Sequence, residues 1–172
     1  AFDAAGNTTK ALTKGYALGS AGLAALLLFQ AYLSEYAKNM NMDIAKVVVD
    51  IVRPEVIAAL FIGGLLPFIF SAFAIRAVGK TAFKVVEEVR RQFREIPGLM
   101  EGKAKPDYSR CVDISTLAAQ KEMIIPGLLP VVVPLLVGFL LGPLAVGAFL
   151  VSATVSGTLL AFLMNTGGAA WD

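Results

Sequence analysis

The chain has 172 residues, 57% hydrophobic and only 16% charged, with a formal net charge of +2 and no histidine. Its mean hydropathy of +0.73 and sparse charge exclude an ordinary water-soluble enzyme, in which about a quarter of residues are charged. Without histidine, Ser-His-Asp catalysis, histidine zinc sites and imidazole proton relays are excluded within this chain. The single cysteine, Cys111, excludes an intrachain disulfide and a Cys-based metal site.

Three stretches carry no Asp, Glu, Lys or Arg: Gly15 to Ser34, Val56 to Ile75, and Met123 to Trp171. The first two hold 20 residues each, matching the roughly 20 needed to cross a ~30 Å hydrocarbon core. The third holds 49, enough for two crossings and a turn. Ala1 is not preceded by Met, and no basic region with a short apolar run follows it, so a signal peptide is not expected there. The apolar run stops at Asp172 without a tail. The expectation is an internal piece of a longer membrane protein.

In chain order, the first crossing runs from the polar N-terminal segment through Tyr16 to about Leu33. Glu35 to Pro54 is a charged connection with a short amphipathic turn. Pro54 suits the start of a second helix, because its missing N–H is not needed in the first turn. That helix spans Val56 to Ile75, with Gly63, Gly64 and a kink at Pro67. Arg76 to Glu95 continues it as a charged amphipathic helix, which Ile96-Pro97-Gly98 stops. Gly102 to Pro106 is a loop, and Asp113 to Glu122 a short helix. The long run divides at Gly142-Pro143, giving a third crossing, bent by Pro126, Pro130 and Pro134, and a fourth to Met164. The expected architecture is all-α: a single partial transmembrane domain, polytopic, with spans near 10–34, 55–77, 124–141 and 144–166 and a helical segment at 78–122.

Orientation follows from the basic residues. Arg76, Lys80, Lys84, Arg90, Arg91, Arg94, Lys103, Lys105, Arg110 and Lys121 lie between crossings two and three, against Lys38, Lys46 and Arg53 between one and two. The positive-inside rule makes segment 78–122 cytoplasmic, and four crossings then return both chain ends to that side. The basic residues therefore read as topology, with no case for nucleic-acid binding.

Asp3, Asn7, Lys10 and Lys14 are spaced four, three and four apart, forming one stripe on a helix. A carboxylate, an amide and two ammonium groups suit an anion carried with a metal: lysine gives point charges to phosphate, and Asp and Asn oxygens suit magnesium. A snorkelling, solvated helix end fits the same spacing, and both readings stand at this point. At the other end Gly167-Gly168 permits close packing and Trp171 an interfacial anchor, while a terminal Asp172 is also an ordinary helix-end charge. The small-residue pairs Gly15 and Gly19, Gly138 and Gly142, and Ser152 and Ser156 read as helix packing. No phosphate-binding loop of the nucleoside-triphosphate type is present, so nothing points to ATP.

Several strings together resemble the membrane-integral pyrophosphatases, ion pumps driven by inorganic pyrophosphate. They are Asp3-Ala-Ala-Gly-Asn-Thr-Thr-Lys-Ala11, Val86-Glu-Glu-Val-Arg-Arg-Gln-Phe93, Ile96-Pro-Gly-Leu-Met-Glu-Gly-Lys-Ala-Lys-Pro-Asp-Tyr108, Lys121-Glu-Met123 and Asn165-Thr-Gly-Gly. The resemblance covers the whole chain but only a late section of the family, whose members have many more crossings. It implies that Asn7, Lys14 and Asp172 belong to a cytoplasmic magnesium–pyrophosphate site, with Asn7 and Asp172 as candidate metal ligands. Asp172 is preceded by Gly-Gly-Ala-Ala-Trp, where many members have one alanine fewer. Lys10 and Thr13 resemble the pair marking the potassium-independent subclass, in which an ammonium replaces a potassium ion; that subclass pumps protons.

The resemblance further implies Mg2+ as cofactor, a homodimeric full-length protein, a multi-pass location in a bacterial or archaeal cell membrane, and hydrolysis by a water held between two aspartates. Those aspartates are absent here, so no catalytic residue is assigned and the fragment alone is expected to be inactive. Leu18, Ala21, Ala25 and Leu28 would line the conducting path, or simply pack. The alternative is a segment of a secondary transporter or membrane scaffold without hydrolytic activity.

Overall fold

The computed structural model describes residues 2–171, and the described residues form helices and loops without a strand. Helix α1 spans Phe2–Asn39, α2 Pro54–Glu95, α3 Tyr108–Glu122, α4 Ile124–Leu141 and α5 Pro143–Met164. A 3-10 turn at Ile44–Lys46 and a π-turn at Asn165–Ala169 complete the order. Four helical stretches, Phe2–Asn39, Pro54–Glu95, Tyr108–Leu141 and Pro143–Ala169, are long and apolar enough to cross a membrane. Large apolar side chains such as Leu27, Phe61, Phe139 and Leu140 stand more than two-thirds exposed, a surface unsuited to water. The chain divides into two compact units, Ala1–Ile69 with Val131–Asp172, and Phe70–Pro130.

In the first unit, local chemistry sets the helix ends. Asp3 sits in the first turn of α1 and Lys38 in the last, each at the end whose dipole it complements. The α1 terminus closes on Asn41 at φ 53, with Met42 N–H donating to the Ala37 carbonyl at 3.0 Å and Asn41 N–H to that of Lys38 at 3.1 Å. This is the left-handed cap that satisfies a helix's last carbonyls. Asp43 caps the 3-10 turn through Ala45 N–H at 3.0 Å, and Pro54 opens α2. Gly142, at φ 91, separates α4 from α5, which begins at Pro143. The core is small: Ala59, Val137, Ala145 and Phe149 are buried together. It depends on close backbone approach. A Cβ on Gly63 would stand 2.6 Å from Ser152 Oγ and against the Phe149 carbonyl oxygen. Ser152 Oγ in turn donates to the Leu60 carbonyl at 2.5 Å, and Gly157 faces Pro67. Of the small-residue pairs read from the sequence, only Ser152 bonds to another helix, while Gly19 and Gly142 meet nothing nearby. The crowded position is Gly63.

The second unit holds the charged end of α2 and all of α3. The helix α3 begins at Tyr108, five residues before the expected Asp113, because Asp107 caps it by accepting from Arg110 N–H at 3.0 Å. Gln92, 3% exposed, holds that cap in place. Its Nε2 donates to the Asp107 carbonyl and its Oε1 accepts from Asp107 N–H, both at 2.9 Å. Glu88 accepts from Gln92 at 3.0 Å and from two nitrogens of Arg91 at 2.9 and 2.7 Å. These charge-assisted bonds, with Arg91 first and Gln92 second, hold the Glu88 carboxyl down at about 2 and raise the Arg91 guanidinium. Lys80 pairs with Glu122 and lowers its carboxyl below the ordinary value.

Candidate functional site

The polar start of α1 lies beside the end of α5, both in the first unit. The contact stripe on α1 runs through Asn7, Ala11, Gly15, Leu18 and Gly22, where steps of four, four, three and four residues keep one face against a neighbour. Asn7 and Ala11 are buried, at 9% and 8% exposed. The stripe is made of small residues, and this allows polar atoms of α5 to reach the α1 backbone. Gly15 faces Asn165 Nδ2 at 3.8 Å from where its Cβ would be, and Gly22 faces Thr158 at 3.6 Å.

Of the residues singled out in the sequence, Asn7 lies on this stripe. Lys14 is exposed and lines a groove of about 330 Å³ with Leu18, Ala161, Met164, Asn165 and Ala169. Lys10 and Asp3 are exposed on the same helix. Thr13, also exposed, turns its hydroxyl back to the Thr9 carbonyl at 2.9 Å. Asp172 lies outside the described residues. The structure thus brings Asn7 and Lys14 to the contact region of α1 and leaves Lys10 and Thr13 on its open side. Lower down, Leu18, Ala21 and Ala25 line a further groove of about 260 Å³ against α5. Leu28, 71% exposed, stands away from it.

Asn165 is the residue whose individual place the sequence reading missed. Its Nδ2 donates to the Ala11 carbonyl at 2.9 Å, joining α5 to α1. Its Oδ1 is buried and has no hydrogen-bond partner among the described residues. The sequence shows only an amide closing a long charge-free apolar run, which does not say what it pairs with. From Asn165 the helix widens into the π-turn, where Ala170 N–H donates to the Asn165 carbonyl five residues back at 3.1 Å. Turns of this kind occur frequently at functional sites. Thr166 Oγ1 bonds the Phe162 carbonyl at 2.8 Å. Among the described residues of this end, Lys10 and Lys14 carry positive charge and Asp3 negative.

Among the described residues no three His, Cys, Asp or Glu side chains come together as metal ligands. The donors present, an amide at Asn7 and the isolated Asp3, do not by themselves make a divalent-cation site.

Comparison with known proteins gives this end its context. The family described as Inorganic H+ pyrophosphatase matches residues 1–172. The chain is 60% identical over 172 residues to the K(+)-insensitive pyrophosphate-energized proton pump of Caldanaerobacter subterraneus subsp. tengcongensis, covering 99% of this chain and 24% of the relative. It is 52% identical over 171 residues to the protein of the same name from Methanosarcina mazei, covering 99% and 25%. It is 50% identical over 183 residues to pyrophosphate-energized membrane proton pump 3 of Arabidopsis thaliana, covering 99% and 23%. The chain therefore spans about a quarter of the length of these relatives. Nothing in these matches favours the secondary-transporter or scaffold reading. With a family match along its whole length, and helices fit to span a bilayer, the chain belongs to the inorganic H+ pyrophosphatase family.

Proposed function

We propose that the chain forms one part of a pump that couples hydrolysis of inorganic pyrophosphate to proton translocation across a membrane. The observation that carries this reading is the family match over residues 1–172. The relatives' names say that they are energised by pyrophosphate and pump protons. In this reading magnesium pyrophosphate binds at the start of α1, on the cytoplasmic side of a bacterial or archaeal cell membrane. Asn7, Lys14 and Asp172 contribute to the site.

Each residue has a chemical task in it. The Lys14 ammonium is a compact point charge that neutralises phosphate oxygens as negative charge builds on the leaving group. Asn7, buried on the contact face of α1, orients the substrate or its hydrated metal through its amide. Lys10, with Thr13 beside it, supplies the single positive charge that a potassium ion would otherwise bring, so hydrolysis proceeds without potassium. Mg2+ accompanies the substrate and supplies Lewis-acid stabilisation of the phosphoryl oxygens when bound. Asn7 and Asp172 are too few to complete its oxygen shell, so its remaining ligands, and the aspartates that activate water, belong to other parts of the full-length protein. Leu18, Ala21 and Ala25 line the start of the conducting path. The full-length pump is a homodimer, and the 172 residues alone neither hydrolyse pyrophosphate nor transport.

The test is made in the full-length protein in sealed membrane vesicles. Asn7→Ala and Lys14→Ala are each expected to lower magnesium-dependent pyrophosphate hydrolysis by roughly a hundredfold, the scale for removing a group that stabilises transition-state charge. Unchanged hydrolysis in both variants would refute the site. Pyrophosphate-driven acidification that a protonophore collapses is expected as well, and sodium accumulation in its place would overturn the choice of ion.

A further inference from the structure

We propose that Asn165 is a positioning residue for Lys14, resting on the reading of Lys14 as a pyrophosphate ligand. Three observations converge on it. Asn165 reaches across from the end of α5 to the α1 backbone, donating Nδ2 to the Ala11 carbonyl at 2.9 Å, one helical turn before Lys14. Asn165 and Lys14 line the same groove of about 330 Å³. The remaining side-chain atom of Asn165, Oδ1, is buried without a partner among the described residues.

A buried amide oxygen without a donor forfeits its hydration with nothing in return, so such an atom is commonly paired in the working protein. The donor must be a group that can enter the groove. The other residues lining it, Ala17, Leu18, Ala161, Met164 and Ala169, offer no side-chain donor; Lys14 offers three on a flexible four-carbon stem. The Lys14 ammonium therefore seats on Asn165 Oδ1 while the opposite end of the same amide holds α1 in register. One planar group then sets both the depth of α1 against the π-turn and the direction of its charge. Two of the ammonium's three N–H groups stay free for an anion. Gly15 leaves room for this contact, with its Cβ position at an ordinary 3.8 Å from Asn165 Nδ2.

The experiment uses the full-length protein in detergent and compares Asn165→Ala with Asn165→Asp. Its first readout is independent of catalysis: the rate at which an isotopically coded amine-acylating reagent modifies Lys14, followed by mass spectrometry. Removing the acceptor in Asn165→Ala is expected to speed acylation at least about fivefold, as loss of one bond to a charged group requires. Asn165→Asp keeps the size and offers a charged acceptor that holds the ammonium more firmly, so its rate is expected to be no faster than the parent's. The second readout is hydrolysis, where Asn165→Ala is expected to lower kcat and kcat/KM for magnesium pyrophosphate together, roughly tenfold, with a smaller change in KM. Parent-like acylation in both variants, or acceleration in both, overturns the proposal. Faster acylation in Asn165→Ala alone with unchanged kcat/KM upholds the Asn165–Lys14 seat and removes Lys14 from the pyrophosphate site.

Discussion

Gly63 of α2 lies directly against the Phe149 carbonyl of α5, with Ser152 Oγ filling the remaining space at 2.6 Å from where a Cβ would stand. Membrane helices gain little from apolar burial against each other, so backbone approach of this kind supplies their packing. Gly63→Ala is expected to destabilise by about 1–3 kcal/mol, the usual range for inserting a methyl group into a packed interface. Gly64→Ala, whose Cβ would find Ser152 Oγ at an ordinary 3.7 Å, is the control. Thermal unfolding of the detergent-solubilised full-length protein measures both. Equal melting temperatures for the two variants would contradict the assignment.

A single glutamine satisfies both polar groups of the Asp107 peptide. Gln92→Leu fills the space but strands an N–H and a carbonyl, at about 1–3 kcal/mol for each left buried. The outcome is local: amide hydrogen exchange at 107 and through the first turn of α3 accelerates by about tenfold or more, while α5 is unaffected. Gln92→Glu sets a second carboxylate against Glu88 and the Asp107 carbonyl, and its exchange is expected to accelerate as well.

Glu88 gives the same region a pH dependence. Its carboxyl, depressed from 4.5 to about 2 by hydrogen bonds from Arg91 and then Gln92, is charged more readily folded than unfolded. The stability it adds is therefore complete above about 4.5 and lost as pH falls towards 2. Exchange protection of residues 88–111 is expected to stay level from pH 7 to 5 and to decline between 4.5 and 2. In Glu88→Gln that acid-dependent step disappears. Arg91 keeps its charge throughout.

Lys10 stands exposed on α1, one turn from Lys14. If its ammonium does the work of a potassium ion, Lys10→Ala makes hydrolysis by the full-length protein depend on potassium. Activity is expected to fall by roughly tenfold in potassium-free buffer and to recover on adding the salt, with sodium chloride at equal ionic strength as control. Equal loss in both salts would assign Lys10 another role.

The helices were legible in the sequence because charge-free runs and their length carry so much of the physics of a bilayer. Gly142-Pro143 marked the break between α4 and α5, and Ile96-Pro97 the end of α2, since both leave a backbone that cannot continue a helix. The start of α3 was read five residues late. Asp107 looks like loop chemistry beside Pro106, and the partner that makes it a cap, Gln92, lies fifteen residues earlier on another helix. The stripe on α1 was legible as a spacing, but which of its members is buried depends on the small residues Ala11 and Gly15 and on what α5 brings to them. Asn165 reads in the sequence as the residue that closes the fourth crossing, with no partner indicated. Its hydrogen bond spans 154 residues of sequence, and no local pattern announces such a pairing.

The π-turn at Asn165–Ala169 is closed by the N–H of Ala170, the second of the two alanines before Trp171. In a regular α-helix one added residue turns everything after it by about 100° and advances it about 1.5 Å. A turn closed five residues back takes in one residue more than a turn closed four back, so the added residue is absorbed as girth. The turn therefore works as a phase correction, taking up in girth a residue that a regular helix would take up in rotation. A helix can thus lengthen by one residue without re-aiming the side chains that come next.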